Sequence, residues 1–215
     1  MMTEEEIPDY HIFMMCEQLN ENARTALSPD YYFRNCQPSE LEMWKALPFD
    51  SDTVPSAYQN DMDDFVKNTY GRDMQTFLKN TLFVCNQKDQ PIATCSYWKA
   101  YGKFNTIHWF KTIKAYEGKG VGRALLSETM SRFDRKDYPI YIHTQPGSFR
   151  AIKLYTDFGF KLLKGGKLGT RVNELEKSLP ILKKFMTPSS FEKLEVMDTP
   201  DCFIKQLENE TTIQF

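Results

Sequence analysis

The stretch Tyr116–Leu126, YEGKGVGRALL, sets glycine at positions 118, 120 and 122 and then passes directly into helix-forming residues. Glycine tolerates backbone conformations that side chains forbid and leaves main-chain amides uncovered. The first turn of a helix adds N–H groups that have no carbonyl partner, and a partial positive charge with them. Together these features predict an anion site, with a pyrophosphate as the expected guest.

The flanking sequence supplies the frame. Upstream, TLFVCNQ from Thr81, PIATCSYWKAYG from Pro91 and FNTIHWFKTIKAY from Phe104 are rich in β-branched and aromatic residues and separated by short turn signals, which predicts three antiparallel strands. Downstream, a helix is expected from about Gly120 to Asp134 with Val121, Leu125, Leu126, Met130 and Phe133 on one side. PIYIHTQ (Pro139 to Gln145) reads as a strand. SFRAIKLYTDFGF reads as a second helix with Ala151, Leu154, Tyr155 and Phe158 on its apolar stripe and Gly159 at its end, and FKLLK begins another strand.

Two common glycine loops do not fit. A nucleotide hydrolase loop needs GxxxxGK followed by Ser or Thr, which Gly118 to Leu125 lacks. A dinucleotide loop needs GxGxxG, and Arg123 stands where its third glycine belongs. The segment Glu117-Gly118-Lys119-Gly120-Val121-Gly122 instead resembles the pyrophosphate loop of the GCN5-related N-acetyltransferase (GNAT) family, Gln or Arg, two residues, Gly, one residue, Gly or Ala. Both key glycines are present as Gly120 and Gly122, and Glu117 departs from the pattern. AIKLYTDFGF resembles the second signature of the family, a small residue followed by leucine-tyrosine and glycine-phenylalanine pairs. The resemblance covers about Phe104 to Leu163.

That resemblance implies an α/β (α+β) fold: a GNAT-like mixed, mostly antiparallel central sheet flanked by helices, splayed at the cofactor cleft, with a C-terminal extension. It also implies acetyl-CoA as co-substrate and transfer of an acetyl group to a primary amine through a ternary complex. The backbone of Phe110, Lys111 and Thr112 would pair with the pantetheine arm, and an amide near Phe110 would face the oxyanion of the reaction. The amides of Gly118, Lys119, Gly120, Val121, Gly122 and Arg123 would hold the pyrophosphate, with Lys119 and Arg123 adding positive charge. Ser148 stands where the family often has an asparagine on the pantetheine; its other reading is a helix N-cap. Tyr155 is the implied general acid for the leaving thiolate, because a phenol of reference pKa about 10 keeps its proton at neutral pH; its other reading is an amphipathic core tyrosine on the apolar stripe. His143 is the candidate base for the incoming amine, with a hydrogen-bonded strand histidine as the alternative. His108 either faces the sheet or the acceptor pocket. A non-catalytic acyl-CoA sensor of the same fold is the competing function, motivated by the carboxylate of Glu117.

The remainder carries no family signature. A single domain of 215 residues is expected, with an N-terminal acceptor-side region (1–80), a cofactor-binding core (81–164) and an extension (165–215). Tyr10 to Gln18 is a strand or a buried helical turn; Tyr31 to Cys36 is strand-like; a helix starts at Pro38 and Ser39; Pro48 to Asn60 is a loop; Asp61 to Asn80 is helical and broken near Gly71. Asp61, Asp63 and Asp64 lack the glycine and closing glutamate of a calcium loop, and no metal is expected. After Gly166 an amphipathic helix is expected with Val172, Leu175, Leu179 and Leu182 on one face, kinked or split at Pro180. It would pack on its own core or on a second subunit, so a homodimer stays open.

Composition excludes several classes. A net charge of -2 gives no field that would attract nucleic acid or an anionic membrane. Five scattered cysteines without a CxxC pair suggest neither a disulfide framework nor a zinc site. No apolar run approaches a membrane span, and MMTEEEIPDY lacks the features of a signal peptide, so a cytoplasmic protein is expected, and the family resemblance implies a small-molecule or peptide amine as its acceptor.

Overall fold

Residues 12–16, IFMMC, are entirely buried, as a strand covered on both faces requires. In the computed structural model, which describes residues 2–215 apart from the side chain of Glu5, they form strand β1 (Ile12–Cys16). The apolar run of Tyr10 to Gln18 is thus a strand rather than a helical turn. By its internal contacts the chain divides into two units, one of residues 24–137 and one of residues 1–23 with 138–215.

The unit of residues 24–137 begins with β2 (Tyr31–Asn35) and the short helix α1 (Leu41–Ala46). Pro48 to Asn60 is more ordered than a loop: single turns form at Leu47–Phe49 and Ser56–Tyr58, and α2 (Gln59–Tyr70) already starts at Gln59. A turn at Gly71–Asp73 separates α2 from α3 (Met74–Asn80), the break expected near Gly71. Asp63 serves the helix pair, accepting from the ammonium of Lys45 at 2.6 Å and from Gln59 at 3.2 Å.

Three long strands follow, β3 (Thr81–Asn86), β4 (Pro91–Ala100) and β5 (Phe104–Thr112), antiparallel in the spatial order β5-β4-β3-β2. Helix α4 (Val121–Met130) packs on β3, β4 and β5 with Val121, Ala124, Leu125, Leu126 and Met130 buried. It stops at Met130, one turn short of the expected Asp134. On the opposite helices, Trp44, Tyr70 and Phe77 form a fully buried aromatic core, with Tyr70 stacked on Phe77 at 3.9 Å.

The second unit resumes with β6 (Ile140–Thr144), antiparallel to β1 with Phe13 opposite His143. Helix α5 (Phe149–Asp157) buries Phe149, Ile152 and Tyr155; Ala151 and Leu154, expected on the stripe, are half-buried, so the helix is turned toward Ile152. Strand β7 (Lys161–Lys164) pairs with β1.

The single amphipathic helix expected after Gly166 does not start there. Lys167–Leu168 and Arg171–Val172 form a small hairpin, β8 and β9, turned at Gly169 with φ 61°, and Val172 is 56% exposed instead of lining a helix. Helix α6 (Leu175–Phe185) follows and runs through Pro180 unsplit. The proline is exposed, and so is Glu176, the residue four positions earlier to whose carbonyl a proline offers no N–H. The segment left unplaced contains α7 (Pro188–Phe191), β10 (Val196–Asp198), which runs parallel to β7, and α8 (Asp201–Leu207). The strands of this unit follow the order β10-β7-β1-β6.

Gly159 ends α5 with φ 98°, and a Cβ there would lie 2.7 Å from the carbonyl oxygen of Gln18. The same turn is closed by Asn20, whose backbone N–H donates to the Phe158 carbonyl and whose side-chain amide donates to that of Asp157. Replacing Gly159 by alanine therefore adds backbone strain and a clash with main chain that cannot rotate away. Urea unfolding of Gly159→Ala is expected to give a loss of about 3 kcal/mol; wild-type stability would show that the turn yields.

Candidate active site

Gly118 and Gly120 both adopt positive φ, 73° and 80°, and space is open where their side chains would stand. Gly120 is the N-cap of α4, and the first hydrogen bond of that helix runs from the Ala124 N–H to the Gly120 carbonyl at 3.0 Å. The Val121 and Gly122 amides therefore precede the helical ladder, where the helix offers them no carbonyl. Two left-handed glycines beside a bare helix start fit a diphosphate, which needs close approach to main chain and convergent N–H donors.

The loop is braced from its own unit. Lys119 places its ammonium 4.7 Å from the centre of the Tyr116 ring. Lys111 pairs with Asp50 at 2.6 Å, and the other Asp50 oxygen accepts the Lys114 N–H at 2.7 Å. Its side chain is thus committed to Asp50. Glu117 stands ahead of the loop in extended backbone with an exposed side chain.

Strand β5 is irregular where the resemblance assigns pantetheine and oxyanion contacts. Between the pairs Thr94↔Lys111 and Ser96↔His108, Cys95 alone faces both Trp109 and Phe110. This is a β-bulge, and Trp109 occupies it with φ 53°. A bulky residue in that region is strained by about 1–3 kcal/mol and persists only where packing holds it. Edge-on contacts with Trp44 at 5.7 Å and Phe65 at 5.3 Å hold it. His108 is buried and hydrogen-bonded through Nδ1 to the Tyr70 hydroxyl of α2 at 2.7 Å. Burial pushes the Tyr70 phenol well above its ordinary value.

The residues assigned by sequence fall into two groups. Phe110, Lys111 and Thr112 end β5, and Gly118 to Arg123 open α4, within residues 24–137. His143, Ser148 and Tyr155 belong to the other unit. Ser148 holds the N-cap position of α5 but its hydroxyl makes no capping bond. Tyr155 is 4% exposed and its ring lies 5.8 Å from that of Phe160. His143 is half-buried, with the Phe13 ring 5.1 Å away.

Around His143 the fold gathers residues that sequence reading missed. His11 brings Nδ1 to 3.0 Å from His143 Nε2, and Arg171 brings Nη1 to 3.2 Å from both ring nitrogens of His11. Glu174 donates its N–H to the His11 carbonyl at 2.8 Å, and its carboxylate accepts the His11 N–H at 3.3 Å. The one local signal was a histidine in each of two strand-like segments, YHIF and YIHT; their register is not written in either.

A mixed α/β, mostly antiparallel fold with a glycine loop at a helix start defines a domain suited to a diphosphate-bearing ligand. The chain belongs to the acetyltransferase (GNAT) family, whose model matches residues 44–160, more than half of it. Among solved structures, a GNAT acetyltransferase from Staphylococcus aureus is 13% identical with a TM-score of 0.45, over 59% of this chain and 82% of that one. A GNAT acetyltransferase from Colwellia psychrerythraea is 11% identical with a TM-score of 0.49, over 72% and 53%. A GNAT N-acetyltransferase from Escherichia coli in complex with CoA is 18% identical with a TM-score of 0.36, over 51% and 59%. The chain thus spans less than two thirds of the latter two. A comparison with curated proteins finds no match. No helix among the described residues is long and apolar enough to cross a membrane.

Burial first and Arg171 second hold His11 below the ordinary histidine value of 6.5, against the opposing pull of Glu174 and Asp9. Unfolding returns it to that value, so between the lowered value and 6.5 the unfolded chain binds more protons and stability is lost as the pH is lowered. The melting temperature is expected to decline from pH 7.5 to pH 5 with a component that His11→Gln lacks. Identical declines in both proteins would contradict this assignment.

Proposed function

We propose that this chain is an acetyl-CoA-dependent N-acetyltransferase that moves the acetyl group to a primary amine of a small-molecule or peptide acceptor by direct transfer in a ternary complex. The observation that carries it is the pair of left-handed glycines, Gly118 and Gly120, opening α4 inside the family-matched region. Diphosphate is the part of acetyl-CoA that such a loop suits best.

In this reading the amides of Gly118 to Arg123 hold the diphosphate, and the Lys119 and Arg123 side chains supply positive charge. Phe110 to Thr112 offer main-chain partners to the pantetheine arm, and Ser148 a hydroxyl. The bulge at Trp109 and Phe110 supports an oxyanion contact, because it takes this part of β5 out of regular register with β4 and aims its amides differently. Preorganised donors of this kind require no rearrangement as charge develops.

The amine arrives mostly protonated at neutral pH and must lose a proton before it attacks. His143 is the assigned base. The departing thiolate takes a proton, and Tyr155 Oη is its assigned source. Burial of Tyr155 limits competition from bulk water for that proton.

Saturating acetyl-CoA is expected to raise the melting temperature, by an amount corresponding to about 2.7 kcal/mol at a hundredfold excess over Kd. No shift would contradict the assignment of co-substrate. Product formed with a panel of primary amines separates an enzyme from a non-catalytic acyl-CoA sensor, since a sensor gives the thermal shift alone.

Tyr155→Phe is expected to keep the acetyl-CoA thermal shift and lose about a hundredfold in kcat. A variant with unchanged turnover at saturation would remove Tyr155 from the acid role.

A further inference from the structure

His11 lies just ahead of β1, and His143 lies on β6. The register sets Phe13 opposite His143. Side chains alternate along a strand, so His11, two residues before Phe13, emerges on the same face and diagonal to His143. The rings meet there with centroids 5.0 Å apart. A contact of 3.0 Å between two imidazole nitrogens needs one hydrogen between them, with one ring donating and the other accepting. The tautomers of the two rings are therefore linked.

Three charged side chains act on His11: Arg171, Glu174 and Asp9. Arg171, on β9, lies 3.2 Å from both of its ring nitrogens, and a guanidinium only donates and keeps its charge. It opposes a positive charge on His11. Glu174 favours that charge, but its carboxylate is already engaged by the His11 N–H and by Lys177 at 2.9 Å, and Lys177 in turn lies over the Tyr10 ring. Asp9 also favours the charge, from an exposed position. The Phe13 ring packs against His143 without contributing charge.

We propose that His11 is the positioning residue for His143: it fixes the His143 ring through the facing nitrogens and couples it to the charge of Arg171. This rests on the base role assigned to His143.

The test is the pH profile of kcat/KM in a double-mutant cycle of His11 and Arg171. Arg171→Met is expected to move the acid limb up by about one pH unit, roughly a tenfold loss on the limb. In a His11→Phe background the same change is expected to move it by less than about a third of that. His11→Gln, which keeps a hydrogen-bonding group, is expected to hold kcat at pH 8 within about threefold of wild type, whereas His11→Phe loses at least about tenfold. An Arg171→Met shift of equal size with and without His11, or equal kcat in the Gln and Phe variants, would overturn the proposal.

A second arm needs no turnover. The ring signals of His11 and His143, followed by NMR through a pH titration, are expected to titrate as a coupled pair in the wild type and to move up together in Arg171→Met. A His143 signal indifferent to Arg171 overturns the proposal whether or not an amine is acetylated. Should His143→Ala keep full turnover, the base role falls, and the coupling is still read by the titration.

Discussion

Main-chain amides to which their own helix offers no carbonyl are the constraint on which the account depends. A helix start cannot satisfy its first N–H groups from within, and the N-cap of α4, Gly120, has no side chain to cap them. Gly118 and Gly120 turn the backbone through positive φ, and the buried face of Val121, Leu125 and Leu126 holds the helix firmly against β3, β4 and β5. Mobile donors would lose entropy on binding, whereas a packed helix presents them already oriented. The bulge in β5 follows the same logic. There an aromatic core of Trp44 and Phe65 keeps Trp109 in a backbone region that a tryptophan otherwise avoids.

The other unit contributes side chains rather than amides. Strand β1 does much of the organising, since it pairs with both β6 and β7 and carries His11 at its entrance. The close fit of Gly159 to the Gln18 carbonyl ties the end of α5, and with it Tyr155, to the segment that follows β1. Glu174 ties the start of α6 to His11 by two hydrogen bonds. Groups assigned to proton transfer thus stand on elements whose ends are fixed by main-chain contacts rather than on free loops.

Much of this was legible in the sequence because it rests on local rules. Alternation and β-branched residues mark β3 to β6, the glycine spacing marks the loop, and the leucine-tyrosine pair marks α5. Errors arose where the chain chose between local options. Gly165, Gly166 and Gly169 allow a hairpin where periodicity suggested that a helix had begun, and Val172 went to that hairpin. Pro180 reads as a break, yet it stands on the exposed side and α6 continues through it. The cluster of His11, His143, Arg171 and Glu174 joins residues up to 163 positions apart. Only the pairing register of β1 with β6 and the docking of residues 171–174 create it, and neither is a property of any short segment.

The central claim is that the amides of residues 118–123 grip a diphosphate, and amide chemical shifts report on that directly. On titration with coenzyme A, the backbone N–H signals of Gly118, Gly120 and Gly122 should shift far more than the rest of the chain, and the same three should shift with ADP, which shares the adenosine 5′-diphosphate unit. Binding of coenzyme A that leaves those three signals unmoved would contradict the account.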